Sequence, residues 1–149
     1  MKKVIIAWCL ISVILALATC GHSGDSATTA APAATMPYES LTAEDIASAT
    51  VELQPPHVTV VLDADAIGKL VAILQTVGIY GKDTSNESLA GQGVTYTITK
   101  TDGSVEKVAP LGSLITLNEV RYHAKYEPSE ALNLLGNTLA GTRFGASGD

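Results

Sequence analysis

Residues 94–109 read VTYTITKTDGSVEKVA, and this stretch decides the fold class because it specifies two strands joined by a tight turn. Apolar residues alternate with threonines over Val94 to Thr99, which is the period of a strand with one buried face. Asp102-Gly103 signals a type I′ turn, in which both central residues need positive φ. Val105 to Ala109 then returns antiparallel. A link this short excludes a parallel crossover, so the sequence predicts an antiparallel sheet.

The residues after this hairpin predict a second hairpin and a closing helix. Leu114–Leu117 and Val120–Ala124 pair about Asn118-Glu119. Pro128 occupies the first helical position, where its missing N–H has no helical partner in any case. Gly141 ends the helix. The predicted apolar face consists of Ala131, Leu132, Leu135 and Leu139.

The residues before the hairpin predict another helix, the clearest in the chain. Either Asp63 or Asp65 caps its N-terminus, since both carboxylates suit the positive end of the helix dipole, and Gly78 stops it. The apolar residues recur at helical spacing and so share one face. They are Ile67, Leu70, Val71, Leu74 and Val77.

Three strands and one helical turn complete the predicted elements. Ala47–Leu53 and Val58–Leu62 form a hairpin, and Ile79-Tyr80 opens a short strand after the helix. A helical turn precedes the first strand, with Thr42 as its cap and Asp45 at the third position after it.

The predicted order is therefore β-β-α-β-β-β-β-β-α. It indicates an α+β fold, with a mainly antiparallel sheet and two helices packed on one face. A small open barrel with helices plugging its ends is the alternative. A chain of 149 residues is long enough for one such domain.

The N-terminus has the pattern of a secretory signal. Lys2 and Lys3 form a positive start, and Val4 to Leu17 is apolar except for Ser12. This run is short for a membrane-spanning helix, which needs roughly 20 residues, and it fits the apolar region of a signal peptide. Leu17-Ala18-Thr19-Cys20 then resembles the lipobox of bacterial lipoproteins.

The lipobox resemblance implies that the Cys20 thiol receives a diacylglycerol and that the bond between Thr19 and Cys20 is cut. An uncleaved anchor, or a secretory signal cut elsewhere, is the alternative. The next residues are rich in Ala, Ser, Thr, Gly and Pro, a composition typical of disorder. The predicted organisation is a signal peptide at 1–19, the lipidated cysteine and a disordered tether at 20–37, one α+β domain at 38–143 and a disordered tail at 144–149.

Charge and motifs argue against several functions. The chain has 9 basic and 15 acidic residues, unlike proteins that bind nucleic-acid phosphates. Residues 63–68 match the start of a calcium loop, but Ile67 and Leu74 stand where oxygen ligands are needed. His57 and His123 have no partner at metal-ligand spacing, and the sequence has no nucleophile elbow. We therefore predict no catalytic residue, no cofactor and no metal site.

The tyrosines give the one candidate for recognition. Tyr96 and Tyr122 occupy inward strand positions and are predicted core residues. Tyrosine and arginine favour binding surfaces. We therefore predict a recognition patch at Tyr80, Arg121 and Tyr126.

The domain as a whole resembles the small membrane lipoproteins of clostridia. The resemblance rests on Leu41–Ala49, the Pro55-Pro56 break, Asp102-Gly103 and Tyr126–Leu132. It implies the predicted fold and an extracytoplasmic, lipid-anchored location, and it offers no activity to carry over. We expect a non-enzymatic binding or accessory module for another envelope protein, held at the bilayer through acylated Cys20. The alternatives are a small enzyme acting on cell wall or peptides, and a carrier of a small ligand.

Overall fold

The computed structural model of the chain describes residues 33–55, 57–85 and 93–145, with side chains up to residue 141. The predicted signal peptide, its cleavage at Thr19, the lipidation of Cys20, most of the predicted tether and the end of the tail lie outside these residues. The strands are β1 (Ile46–Gln54), β2 (Val58–Val61), β3 (Ile79–Lys82), β4 (Gly93–Lys100), β5 (Val105–Leu111), β6 (Leu114–Leu117) and β7 (Val120–Ala124). The helices are α1 (Ala64–Leu74) and α2 (Tyr126–Gly145), and a 3-10 turn spans Ala43–Asp45.

The seven strands form one antiparallel sheet in the order β2-β1-β4-β5-β6-β7-β3. The predicted α+β class and the predicted order of elements are confirmed. The sheet is open, with β2 and β3 at its edges, and is not the alternative barrel. Thr35, within the range predicted as tether, forms an isolated antiparallel bridge with Ile79 of β3.

Alternation along the strands places the core on one face of the sheet. Val51 pairs with Tyr96, and Tyr96 pairs with Val108, and all three side chains are fully buried. In β4 the buried residues alternate with Thr95, Thr97 and Thr99, which are half-buried on the opposite face of the sheet. Tyr96 is therefore a core residue as predicted, and Tyr122 is a partly buried residue packed against the core.

Helix α1 buries the predicted face against the sheet, with Leu70 and Leu74 fully buried. Its cap is Asp63, whose carboxylate accepts a hydrogen bond from the N–H of Ala66 at 2.8 Å. The prediction that the helix runs to Gly78 is wrong. It ends at Leu74. The N–H groups of Thr76 and Val77 donate to the carbonyls of Ile73 and Leu74, three residues earlier, and so satisfy carbonyls at the end of the helix.

Helix α2 is longer at both ends than predicted. It begins at Tyr126, two residues before Pro128, which is tolerated in the first turn. It also continues through Gly141, an exposed residue whose helical cost of about 1 kcal/mol does not break the helix. Leu132, Gly136 and Ala140, at four-residue spacing, are buried on one face of the helix. The absent side chain of Gly136 lets the helix lie directly on the sheet.

The type I′ geometry predicted for the Asp102-Gly103 turn occurs instead at the second hairpin turn. At Asp102-Gly103 only Gly103 has positive φ, +85°, so the predicted type I′ turn is wrong. Lys100 and Ser104 instead bracket a three-residue loop that places glycine in the left-handed position. At Asn118-Glu119 both residues have positive φ, 47° and 72°, so a type I′ geometry occurs there without glycine.

Candidate binding surfaces

The predicted recognition patch lies on three neighbouring elements. Tyr80 in β3 is 43% exposed, and Tyr126 at the start of α2 is 55% exposed. Arg121 is half-buried in β7, which pairs with β3. The N–H of Lys125 donates to the carbonyl of Gly78 at 3.0 Å, which fixes the start of α2 beside the start of β3. Both tyrosines therefore stand at the same end of the sheet.

Arg121 forms an ion pair with the carboxylate of Asp83, which the sequence analysis did not single out. Its Nε lies 2.6 Å from Oδ2 of Asp83, a side chain only 4% exposed, and its Nη2 donates to the carbonyl of Ser85 at 2.6 Å. Hydrogen bonds from the N–H and hydroxyl of Ser85 hold the pKa of Asp83 below its usual range, with Arg121 adding to the effect. His123 Nε2 is 3.8 Å from Oδ1 of the same carboxylate. This cluster fastens the chain after β3 to β7. Asp83 opens a polar loop in the sequence, and nothing there signals a role.

An apolar groove runs between α1 and α2 and encloses about 480 Å³. Its large exposed apolar residue is Leu134, at 67%. The residues on each side recur at one-turn spacing, so the groove follows both helices. The lining residues are Lys69, Ala72 and Ile73 of α1 with Ala131, Leu134, Leu135 and Thr138 of α2.

Sequence reasoning finds the inner faces of these helices and misses the groove between them. Ala131 and Leu135 belong to the predicted buried face of α2, yet both are only half-buried and line the groove. The sequence feature that could have indicated the groove is the presence of Ile73 and Leu134, two large apolar residues outside the predicted buried faces. A surface leucine alone is common and carries little information. Two such residues on adjacent helices become informative only once the helices are known to be neighbours.

A polar cavity of about 300 Å³ lies between the residues before β1 and the β4–β5 turn. Lys100 Nζ and Glu106 Oε1 are 2.6 Å apart at this end of the sheet. Burial, followed by the charge of Glu106, raises the pKa of Tyr38. Hydrogen bonds from Thr42 lower the pKa of Asp45, whose carbonyl accepts from the N–H of Thr101 at 2.9 Å. These groups pair with one another and so fasten the segment before β1 to the β4–β5 turn.

In residues 33–55, 57–85 and 93–145, no group of three or more His, Cys, Asp or Glu is placed to hold a metal ion. Within that part of the chain, no helix is long and apolar enough to cross a membrane. No protein-family model, curated protein or solved structure matches the sequence.

Proposed function

We propose that this protein is a membrane-anchored extracytoplasmic lipoprotein whose domain binds another envelope protein without catalysing a reaction. The anchoring part is supported by the sequence from Lys2 to Cys20. The binding part is supported by one observation, the apolar groove between α1 and α2 with Leu134 exposed at its side. A hydrophobic groove is one of the recurring surfaces by which protein domains bind an amphipathic helix of a partner.

The occupant that fits the groove is an amphipathic helix of the partner. Two adjacent helices offer a third helix ridges and grooves at matching spacing. The alanines Ala72 and Ala131 leave room for close approach, and Ile73, Leu134 and Leu135 supply the apolar contacts. A partner helix would present apolar anchors at i, i+3, i+4 and i+7.

The charge of Lys69 at the groove indicates the kind of side chain that the partner helix carries. Lys69 is the one charged residue among the groove residues that the structure describes. Its aliphatic stem can cover an apolar partner while its ammonium group remains at the rim. We therefore infer that the partner helix carries an acidic residue beside its apolar anchors.

The test is affinity capture of the tagged full chain from cells, with quantitative mass spectrometry of co-purified proteins. Leu134→Asp places a charge in the groove. Val61→Asp is the matched control, because Val61 in β2 is 61% exposed and does not line the groove. We expect one envelope protein to be lost with Leu134→Asp and retained with Val61→Asp. Cys20→Ala should also lose it, because the partner would then meet an unanchored domain.

Capture that is unaffected by Leu134→Asp would contradict binding through the groove. Turnover of a cell-wall or peptide substrate by the purified chain, abolished by a single side-chain replacement, would favour the enzyme alternative and contradict a non-enzymatic module.

A further inference from the structure

The first described residues of the chain pair with the outer edge of β3. The N–H of Thr35 donates to the carbonyl of Ile79 at 2.7 Å, and the N–H of Ile79 donates back at 2.8 Å. A Cβ placed on Gly78 would lie 3.1 Å from Cβ of Ala34 and 3.3 Å from Sδ of Met36. The first residues that the structure describes, 33–35, therefore lie beside this edge of the domain.

Two exposed tyrosines lie beside the bridge between Thr35 and Ile79. Tyr80 follows Ile79 directly and is 43% exposed, and Tyr126 follows Lys125 and is 55% exposed. The Cε atom of Lys125 would be 3.2 Å from a Cβ on Gly78, so the lysine stem lies over the same spot. Tyrosine and lysine combine an apolar body with a polar tip, the combination favoured at membrane–water interfaces.

Charge is distributed unevenly between this edge and the rest of the domain. We define the tether edge as β3 with Asp83, β7, Lys125 and the first turn of α2. It contains three cations and two anions, a net charge of +1. The other side chains that the structure describes contain three cations and ten anions, a net charge of −7. The cations of the tether edge are Lys82, Arg121 and Lys125.

We propose that the tether edge lies against an anionic lipid surface, with Tyr80 and Tyr126 at the headgroups. This inference rests on the membrane anchoring proposed above and adds an orientation to it. Thr35 lies fifteen positions after Cys20, and the predicted tether between them would have a root-mean-square span of roughly 20 Å. A domain of this size is about 35 Å across. A tether with a span shorter than the domain would keep the domain in repeated contact with the bilayer. An anionic surface repels the rest of the described domain taken together, with its net charge of −7, and attracts the tether edge.

A lipid surface fits the tether edge better than a protein partner does. Arg121 is already paired with Asp83, so no free arginine remains to anchor a protein interface on the described part of this edge. The exposed cations are two lysines, Lys82 and Lys125, whose point charges suit a fluid array of phosphates. The tyrosines need no shaped pocket in a headgroup layer.

The test is hydroxyl-radical footprinting of the full lipidated chain in vesicles, read by mass spectrometry. Vesicles of phosphatidylcholine with phosphatidylglycerol are compared with phosphatidylcholine alone and with detergent micelles. We expect oxidation of Tyr80 and Tyr126 to fall in the anionic vesicles only. Val61 and Leu134, which are 61% and 67% exposed, serve as internal references and should keep their rates.

Charge reversal links the protection to the lysines. A surface lysine contributes roughly a fivefold preference for an anionic bilayer. Lys82→Glu should therefore reduce the ratio of lipid-bound to free tether edge by at least roughly fivefold. Lys107→Glu in β5, an exposed strand lysine outside the tether edge, is the matched control and should keep the protection. Lys125→Glu is a second reversal should the first disturb β3, with folding followed by circular dichroism.

The outcomes separate this inference from the proposed function. Flotation of the chain with vesicles but equal oxidation of both tyrosines in all three media overturns the tether-edge contact and leaves anchoring intact. Loss of flotation overturns both. Protection that appears only after envelope proteins are added would assign the edge to a protein partner and overturn the lipid contact. Equal losses with Lys82→Glu and Lys107→Glu would overturn it as well.

Discussion

At Gly136, α2 lies so close to the sheet that the structure leaves no room for a side chain. A Cβ at this residue would lie 2.6 Å from Cγ1 of Val94 and 3.3 Å from Cγ2 of Val51. It would also lie 3.2 Å from the hydroxyl of Tyr96, which donates to the carbonyl of Leu132 at 2.6 Å. All three neighbours are buried on the strands, so none can swing into solvent. Gly136→Ala therefore forces the helix away from the sheet.

The expected magnitude combines two opposing effects. Replacing glycine by alanine inside a helix stabilises it by about 1 kcal/mol. Carbon atoms in contact normally lie about 3.5–4 Å apart, so the contact with Val94 is about 1 Å too short. Overpacking a core by one methyl group costs roughly 1–3 kcal/mol, and this overlap belongs at the upper end. We expect a net loss of about 2 kcal/mol, or a Tm lower by roughly 8 °C.

The same substitution elsewhere in α2 provides the control. Gly141 is exposed, and no described atom beyond its own helix backbone and chain neighbours lies within 4 Å of where a Cβ would stand. Gly141→Ala should therefore raise the free energy of unfolding, by up to about 1 kcal/mol. Urea unfolding followed by circular dichroism measures both variants. Equal stabilisation by the two substitutions would refute the packing of α2 on β1 and β4 at Gly136.

Three further predictions concern turns and ionisable groups. Glu119 has φ of 72° in a type I′ turn, so Glu119→Gly should raise the free energy of unfolding by up to about 1 kcal/mol in urea titrations, whereas Glu119→Ala should not. Burial raises the pKa of Tyr96 above its usual value of about 10, so ionisation favours the unfolded state and stability should fall as pH rises beyond 10, by about 1.4 kcal/mol per pH unit. Tyr96→Phe should lose about 1 kcal/mol at neutral pH and show a shallower alkaline slope in thermal unfolding; an unchanged slope would contradict the burial of the hydroxyl. Hydrogen bonds from Ser85 lower the pKa of Asp83, so its contribution is present above about pH 4 and disappears as pH falls, and Asp83→Asn should lower the Tm at pH 7 while flattening its fall in acid.

The sheet is predictable because its signals are local. Alternation in Val94 to Thr99 identifies a half-buried strand, and the links between strands are short enough to force antiparallel pairing. The turn at Asp102-Gly103 is not predictable in the same way, because an Asp-Gly pair is compatible with two-residue and three-residue loops. Glycine at the left-handed position favours both, and the register of the flanking strands decides between them.

The ends of the helices and the candidate site depend on contacts that sequence order does not reveal. Gly141 resembles a helix stop, but the chain beyond it has no competing structure in the described residues and the helix continues. The groove arises only from the placement of α1 beside α2, which brings Ile73 and Leu134 to one surface. Residue type alone singles out Tyr80 and Tyr126, whereas their common position beside Thr35 follows from the pairing of β3 with β7.

Site-specific photocrosslinking tests most directly whether the groove between α1 and α2 binds a helix of an envelope partner, as we propose. A photoreactive amino acid replaces Leu134 in the anchored chain in cells, and Val61 is the matched exposed site outside the groove. We predict one discrete crosslinked protein from Leu134 and none from Val61, with the crosslinked peptide showing apolar residues at i, i+3, i+4 and i+7 and a nearby acidic residue. Equal crosslinking from both sites, or a partner peptide without helical periodicity, would contradict the binding of a partner helix in the groove.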